Sequence, residues 1–574
     1  MRNPENVLNS LSKHSGNLNY KFERLYRVLF NEEMFYVAYQ NIYSKTGNMT
    51  AGADGKTIDG MSIDRVEQLI GSLKNETYQP NPSKRTYIPK KNGKKRPLGI
   101  PSFDDKLVQE VVRMILEAIY EGSFEHTSHG FRPKRSCHTA LIDIQKTFTA
   151  VKWFIEGDIK GFFDNINHDV LINILRERIA DERFLRLIRK FLNAGYVEDW
   201  VFHRTYSGTP QGGIISPILA NIYLDKFDKY IKEYTNRFNK GVTRKGDARY
   251  KLYEQRRYRL AKKLKNEKDV NVREQMTAEI KRLRDERNNY PARNEMDSSI
   301  KRLKYVRYAD DFLIGITGSL EDCKTVKEDI KNYLNEALKL ELSDEKTLIT
   351  NAQKPAKFLG YDVFIRRCND LRKDKFGRTV RAFGHKPVLY LNFETMRKKL
   401  FDYKAARIAV VNGKEVWKSI VRTYMLNLDD LEIVSQFNAE IRGFYNYYSI
   451  ANNSYVINSF YHIMSYSMYK VFASKYKSSV KKILLKYKKN KVFQVAYENS
   501  KGKTLYQAFY HDGFKRKKVA GNIYCDAIPR TVSITGGRNS LMERLKLQVC
   551  ELCGATDKLE MHHVRKLKDL KGNC

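Results

Sequence analysis

"YVRYADDFLIG", residues 305–315, places two adjacent carboxylates, Asp310 and Asp311, in the middle of an otherwise apolar run. Burying an unpaired carboxylate costs several kcal/mol, so the pair needs a partner. The flanks alternate as a strand does, Tyr305 and Arg307 against Val306 and Tyr308, and Phe312 to Ile316 continue apolar. The stretch therefore reads as a β-hairpin that turns at the acidic pair. A divalent cation is the partner such a pair calls for. Magnesium takes oxygen ligands and is commonly held by one or two protein carboxylates plus substrate phosphates. The rest of the chain is then expected to supply a further carboxylate and a nucleic acid.

The composition agrees with a nucleic-acid partner. With 105 Lys and Arg against 66 Asp and Glu, the formal charge is +39, and the isoelectric point is about 9.7. That exceeds what solubility requires and points to a polyanion. A membrane surface is the weaker alternative. No run of about 18 apolar residues occurs, and the N-terminal MRNPENVLNSLSKHSGN lacks the apolar core of a signal peptide. The expectation is a soluble intracellular chain without a membrane partner, cytoplasmic and nucleoid-associated in a bacterium, with an organelle as the alternative. Seven cysteines in 574 residues are too few for a disulfide framework, which fits a reducing compartment. The length allows about three to five domains.

Residues 1 to about 80 read as helices, with Phe22, Leu25, Val28 and Leu29 at helical spacing and a break at GNMTAGADG before the amphipathic IDRVEQLIGSLK. A basic hairpin follows in RTYIPKKNGKKRPLGIPSF, closed by Asn92-Gly93, a strong turn signal. DKLVQEVVRMILEAIYEGSF predicts a helix, and KWFIEGD a strand that ends on Asp158 and leads into GFFDNINHDVLINILRERI. Strands and helices mix without a βαβ rhythm, so the fold class is α+β. Between about 235 and 303 the chain becomes dense in both charge signs and poor in large apolar residues. It predicts an inserted helical pair, either a solvated surface element or a nucleic-acid contact. After about 375 a second basic region rich in Tyr and Lys begins. No repeat of 20 to 50 residues is evident, which excludes a solenoid.

Asp158 is the candidate third carboxylate. Carboxylates on adjacent strands can hold two divalent ions about 3.5–4 Å apart, the arrangement that stabilises attacking and leaving oxygens in nucleotidyl transfer. A strand-end aspartate taken alone is more often a turn or cap residue; its conjunction with the acidic pair is what favours the metal reading.

These residues also carry a resemblance. The YADD of Tyr308–Asp311, together with IPKKNGKKRPLGIP, HGFRPKRSCHTAL, EGDIKGFFDNI, TPQGGIISPILANIYL, LSDEKT and FLGYDV, closely resembles the reverse transcriptases encoded by group II introns, which also act as splicing maturases. The resemblance covers nearly the whole chain. It implies a right-hand polymerase, with fingers and palm over 1–375 and a helical thumb, the maturase or X domain, over 376–484. A DNA-binding region over 485–545 and the start of an HNH endonuclease domain over 546–574 would follow.

Carried over by position, Asp158, Asp310 and Asp311 match the family's catalytic aspartates, and Ile159 would lend a backbone carbonyl to the two Mg²⁺ ions. Lys90 and Arg96 match cations that bind the incoming dNTP, with ordinary solvated charge as the alternative. Phe163 stands where the family has an aromatic beneath the sugar, which would exclude a 2′-hydroxyl; a plain core aromatic is the alternative, and one that suits Phe162 better. Gln211 matches a residue near the nascent base pair. Gly212 and Gly213 would let backbone approach the nucleic acid, or simply make a tight turn. In the thumb, Arg442, Asn446, Tyr447 and Tyr448 interleave cation, amide and aromatics as RNA-stacking surfaces do, with a core helix face as the other reading of the tyrosines.

The final stretch, CELCGATDKLEMHHVRKLKDLKGNC, pairs Cys550 and Cys553 with His562 and His563 as an HNH domain begins. One histidine would act as general base and the other would help hold a divalent ion. Zn²⁺ would be bound only if a second cysteine pair completed the site, and Cys574 does not fit that pair's context, so an inactive endonuclease is expected. The implied function is an RNA-directed DNA polymerase that works on an RNA template with a DNA primer, binds its host group II intron RNA, assists splicing, and supports retrohoming by target-primed reverse transcription into DNA. A maturase without polymerase activity, and a retron or diversity-generating reverse transcriptase, are the competing readings. The three aspartates argue against the first, and the long tail after 375 argues against the second. Monomer and dimer both remain open.

Overall fold

The computed structural model describes residues 3–517, apart from 44–46, 48, 90–92, 94, 210–211, 295–296, 367–369, 374–375, 378, 382–384 and 499–501, together with 546–550, 554–557 and 559–561. At its centre lies a four-stranded antiparallel sheet in the order Arg302–Tyr308, Asp311–Thr317, Trp153–Asp158, Leu348–Asn351. Side chains alternate across a strand, and here the alternation feeds two separate cores. Ile155, Leu303, Tyr305, Phe312, Ile314 and Ile316 join one, while Phe154, Val306 and Leu313 join the other.

The first core is closed by the N-terminal helices Pro4–Lys13, Glu32–Ile42 and Ile63–Lys74 and by helices Phe103–Tyr120, His168–Arg176, Glu182–Asn193 and Ser216–Phe238. Helix Phe103–Tyr120 runs through it, and every residue except Ala118 is buried. Most of its buried charges are held by partners. Arg113 lies between Glu110 and Glu117 at 2.8 and 2.6 Å, and Asp104 takes Arg65 at 2.6 Å and Lys56 at 2.8 Å.

The basic hairpin forms as its sequence predicts, Ser83–Pro89 against Lys95–Ile100. It belongs to a sheet completed by Tyr196–Glu198 and Val201–His203. The charged insertion is also the expected helical pair, Ala248–Asn266 and Val270–Asn288. It starts later than its composition suggests, because helix Ser216–Phe238 continues past 235.

The second core joins helix Cys137–Thr147, behind the central sheet, to the C-terminal helices Phe393–Asp402, Asp430–Tyr448 and Ile457–Lys475. Two features depart from the sequence-based boundaries. Strand Lys386–Tyr390 pairs with Tyr361–Arg366, so the compositional change at 375 falls inside a sheet. Phe493, Val495, Phe509, Tyr510 and Phe514 lie in the same core as the preceding helices, so residues up to 517 pack with the thumb rather than apart from it.

The thumb is also less purely helical than expected. Ala406–Val411 and Lys414–Ser419 form a hairpin whose turn residues, Asn412 and Gly413, have φ of 51° and 72°. Positive φ at both central positions is the Asn-Gly hairpin turn, a signal present in the sequence beside the β-branched, largely apolar ARIAVV. Among the described residues, no helix is long and apolar enough to cross a membrane.

Candidate active site

The central sheet brings the acidic residues together by register. Asp158, the last residue of its strand, stands directly opposite Asp311, and directly opposed residues on neighbouring strands have Cβ atoms about 4.5–5.5 Å apart. Tyr308 pairs with Asp311 across the hairpin, which leaves Ala309 and Asp310 as a two-residue turn. Asp311 opens onto solvent, yet the protein around it, then the charges of Asp310 and Asp158, push its carboxyl up to about 7. Asp310 is raised by burial and by Asp158, while Arg96 and Lys346 hold it down. What offsets the negative charge within the protein is Lys346, whose Nζ donates to Asp158 Oδ2 at 2.7 Å. Lys346 belongs to the LSDEKT segment, which the sequence reading used for resemblance alone.

A second group, absent from the sequence reading, holds the turn from behind. Arg307 is fully buried and donates to Asp228 through Nε at 2.8 Å and Nη2 at 2.6 Å. It also donates to Ser128 Oγ at 2.7 Å and to the Ala309 carbonyl at 2.8 Å. Tyr305 OH donates to the same Asp228 at 2.7 Å. Ala309 has φ of 55°, a left-handed conformation that a residue with a Cβ adopts at a cost, so the bond to its carbonyl fixes a strained turn. Gly130 of the HGFRP segment backs the same turn. A Cβ there would lie 2.3 Å from the Ala309 nitrogen, so only glycine fits. In sequence, Arg307 looked like one half of an alternating strand; its partner is 79 residues away.

Hard oxygen donors crowded until their carboxyls resist ionisation suit a small divalent cation. Among the described residues, no three His, Cys, Asp or Glu groups already stand as a metal cluster, and Lys346 occupies one Asp158 oxygen. The opposed Asp158 and Asp311 nevertheless fit an ion that takes its remaining ligands from phosphates and water, as magnesium usually does. Ile159, the next residue, has its side chain buried.

The other predicted residues divide. Arg96 lies on the basic hairpin opposite Ile88, exposed and near enough to Asp310 to lower its carboxyl. Phe163 is half-buried and lines a cavity of about 400 Å³ with Ser83, Gly99, Tyr196 and Gly208, whereas Phe162 is 2% exposed and belongs to the core. Gly212 has φ of +118°, and a Cβ there would lie 2.3 Å from the Gly99 carbonyl. Its close approach is thus to the basic hairpin's own backbone. Gly213 is buried, and the neighbouring Ile214 N–H donates to Gln109 Oε1 at 2.9 Å.

In the thumb, Arg442 and Asn446 are exposed. Tyr448 is a core residue, 7% exposed, with its hydroxyl donating to the Gly360 carbonyl at 3.4 Å. Tyr447 donates to the Leu359 carbonyl at 2.8 Å, and its own carbonyl meets His138 Nε2 at 2.6 Å. These tyrosines fasten the thumb helix to the palm, which corrects their reading as a free stacking surface: the helix turns them inward while Arg442 and Asn446 face out. Lys90, Gln211, Cys553, His562, His563 and Cys574 lie outside the described residues, as do 518–545. Cys550 is described and half-buried.

A palm sheet with an acidic hairpin, joined to basic fingers and a thumb, defines a reverse-transcriptase-class polymerase. The family model described as reverse transcriptase (RNA-dependent DNA polymerase) matches residues 88–246 and 287–363. A type II intron maturase model matches 393–522, and an AI2M/AI1M-like HNH endonuclease model matches 550–574. The chain is 43% identical to the group II intron-encoded protein LtrA of Lactococcus lactis subsp. cremoris over 99% of its own length and 94% of that protein's. It is 37% identical to an uncharacterised 91 kDa protein in the cob intron of Schizosaccharomyces pombe, over 99% of this chain and 69% of that one. The chain therefore belongs to the group II intron-encoded reverse transcriptase and maturase family. It is an RNA-directed DNA polymerase joined to a maturase domain that assists splicing, and it binds intron RNA and a nucleic-acid template. Reverse transcriptases work with a divalent metal.

Proposed function

We propose that Asp158, Asp310 and Asp311 are the nucleotidyl-transfer residues, holding Mg²⁺ with the Ile159 carbonyl, and that the substrates are dNTPs added to a DNA primer on an RNA template. The observation that carries this is the register of Asp158 opposite Asp311, with Asp310 on the turn beside them. When bound, the ions would activate a primer 3′-hydroxyl and neutralise the triphosphate. The protein's own part is to present the carboxylates. Arg307 and Asp228 fix the turn, and Lys346 balances the charge on Asp158.

Arg96, on the fingers hairpin, and Lys90 supply cations to the triphosphate. Phe163 closes the space beside the sugar, and Gln211 supports the nascent pair. Gly212 and Gly213 seat the hairpin over the palm. Arg442 and Asn446 present a polar face to RNA. The polymerase is proposed to act in retrohoming, copying the intron at a DNA target within a bacterial cytoplasm.

The test is Mg²⁺-dependent extension of a DNA primer on an RNA template. Asp310→Ala should abolish extension and leave RNA binding intact. Extension at the wild-type rate by that variant would sink the assignment.

A further inference from the structure

All but the last two residues of the charged helical pair lie outside the reverse-transcriptase match, which stops at 246 and resumes at 287. It stands on a two-chain stalk. Lys240 bridges Lys301 and Gly246 bridges Arg293, and the main chain is laddered by Lys301 N–H to the Lys240 carbonyl at 3.2 Å and Asn294 N–H to the Lys245 carbonyl at 2.8 Å. The arm is therefore an addition to the polymerase whose two ends meet at its base.

Folding sorts its charges. Helix Val270–Asn288 carries five Lys or Arg and four Asp or Glu, and it lies toward strand Thr379–Arg381 of the main body. Helix Ala248–Asn266 carries eight Lys or Arg and one carboxylate, Glu254. That carboxylate is spent inside the arm on Arg257 at 2.6 Å and Arg287 at 2.5 Å, which hold it down to about 2. Arg256, Arg259 and Lys263 recur at helical spacing on the opposite, exposed face with Lys262 beside them, and among the described residues none of the four forms an ion pair. At 1.5 Å per residue, the stripe from Leu252 to Lys263 is about 16 Å long.

We propose that this face of helix Ala248–Asn266 is a docking surface for double-helical RNA, gripping its phosphates through Arg256, Arg259, Lys262 and Lys263. The proposal rests on the reading of the chain as an intron-RNA-binding protein. Three observations select this partner. A protein interface has a buried apolar and aromatic centre, whereas the stripe itself offers Leu252 alone as a large exposed apolar residue. Single-stranded RNA is held by several stacking aromatics in series, whereas this helix exposes one ring, Tyr258, one turn before Lys262 at the edge of the stripe. A straight row of unpaired cations on a rigid helix matches a regular row of phosphates, which is how duplex RNA is recognised, by backbone and shape.

The experiment changes Arg256→Gln, Arg259→Gln, Lys262→Gln and Lys263→Gln together in the full chain. All four side chains are exposed, so folding is untouched. Affinity for folded intron RNA is then measured from about 50 to 200 mM salt, beside a control carrying Lys281→Gln and Arg282→Gln on the other helix. The expected result is a loss of at least about tenfold, with the slope of log affinity against log salt reduced by about three to four for the four lost phosphate contacts. Primer extension on a short primer–template should stay at the wild-type rate. An unchanged slope would overturn the proposal, as would an equal loss in the control or an equal loss on a DNA duplex of the same length. If the unaltered protein fails to extend a primer, the polymerase reading fails while the RNA-affinity comparison still decides the arm.

Discussion

Arg307→Met tests how the acidic turn is held. Arg307 and Asp228 are both fully buried, with the guanidinium satisfied by Asp228, Asn221, Ser128 and the Ala309 carbonyl. Removing one partner of such a pair leaves an uncompensated charge and costs about 3–5 kcal/mol. For a unit of about 150–250 residues, that lowers the melting midpoint by roughly 6–20 °C. Replacing both partners by apolar groups is often close to neutral, so Arg307→Met with Asp228→Leu should regain most of the lost stability. Polymerisation should not return with it. In both variants the carbonyl of left-handed Ala309 loses its donor, and a misplacement of about 1 Å at a reacting centre can cost 10²-fold. Thermal unfolding followed by circular dichroism, read beside single-nucleotide extension on an RNA template, separates the two effects. If the double variant recovers extension along with stability, Arg307 serves packing alone and the positioning argument is wrong.

Phe163→Ala should admit ribonucleotides by opening the cavity beside the fingers sheet, and competition between dNTP and rNTP in single-nucleotide extension measures it; unchanged selectivity would return Phe163 to a packing role. Gly212→Ala combines positive φ with a 2.3 Å approach to the Gly99 carbonyl, so it should push the basic hairpin from the palm and slow extension by up to about 10²-fold with RNA affinity retained, as filter binding would show. Burial raises the Asp105 carboxyl from the usual 3.8 to about 6, so between about pH 4 and pH 6 the folded chain keeps a proton that the unfolded chain has released. The stability this contributes is full below about pH 4 and lost as pH rises through about 6, by up to about 3 kcal/mol; Asp105→Asn should flatten that part of a urea-midpoint profile against pH.

The sequence alone determined the local elements and the chemical class of the site. Alternation around Asp310 and Asp311, the closing Asp158, the basic hairpin and the helical insertion are local patterns, set by periodicity and turn chemistry within a few residues. Tertiary structure decided which side chains meet. Arg307 and Asp228 are far apart in sequence, and nothing near either one announces a buried ion pair that holds the active turn. Tyr447 and Tyr448 read equally well as a stacking surface or a core face until the palm loop at Leu359 and Gly360 supplied acceptors for their hydroxyls. The change of composition at 375 falls between two paired strands, Tyr361–Arg366 and Lys386–Tyr390, and strand pairing is a contact between distant segments that no single segment encodes. The two-sided palm has the same origin: period-two alternation fixes two faces, and only the packed helices determine that both are buried.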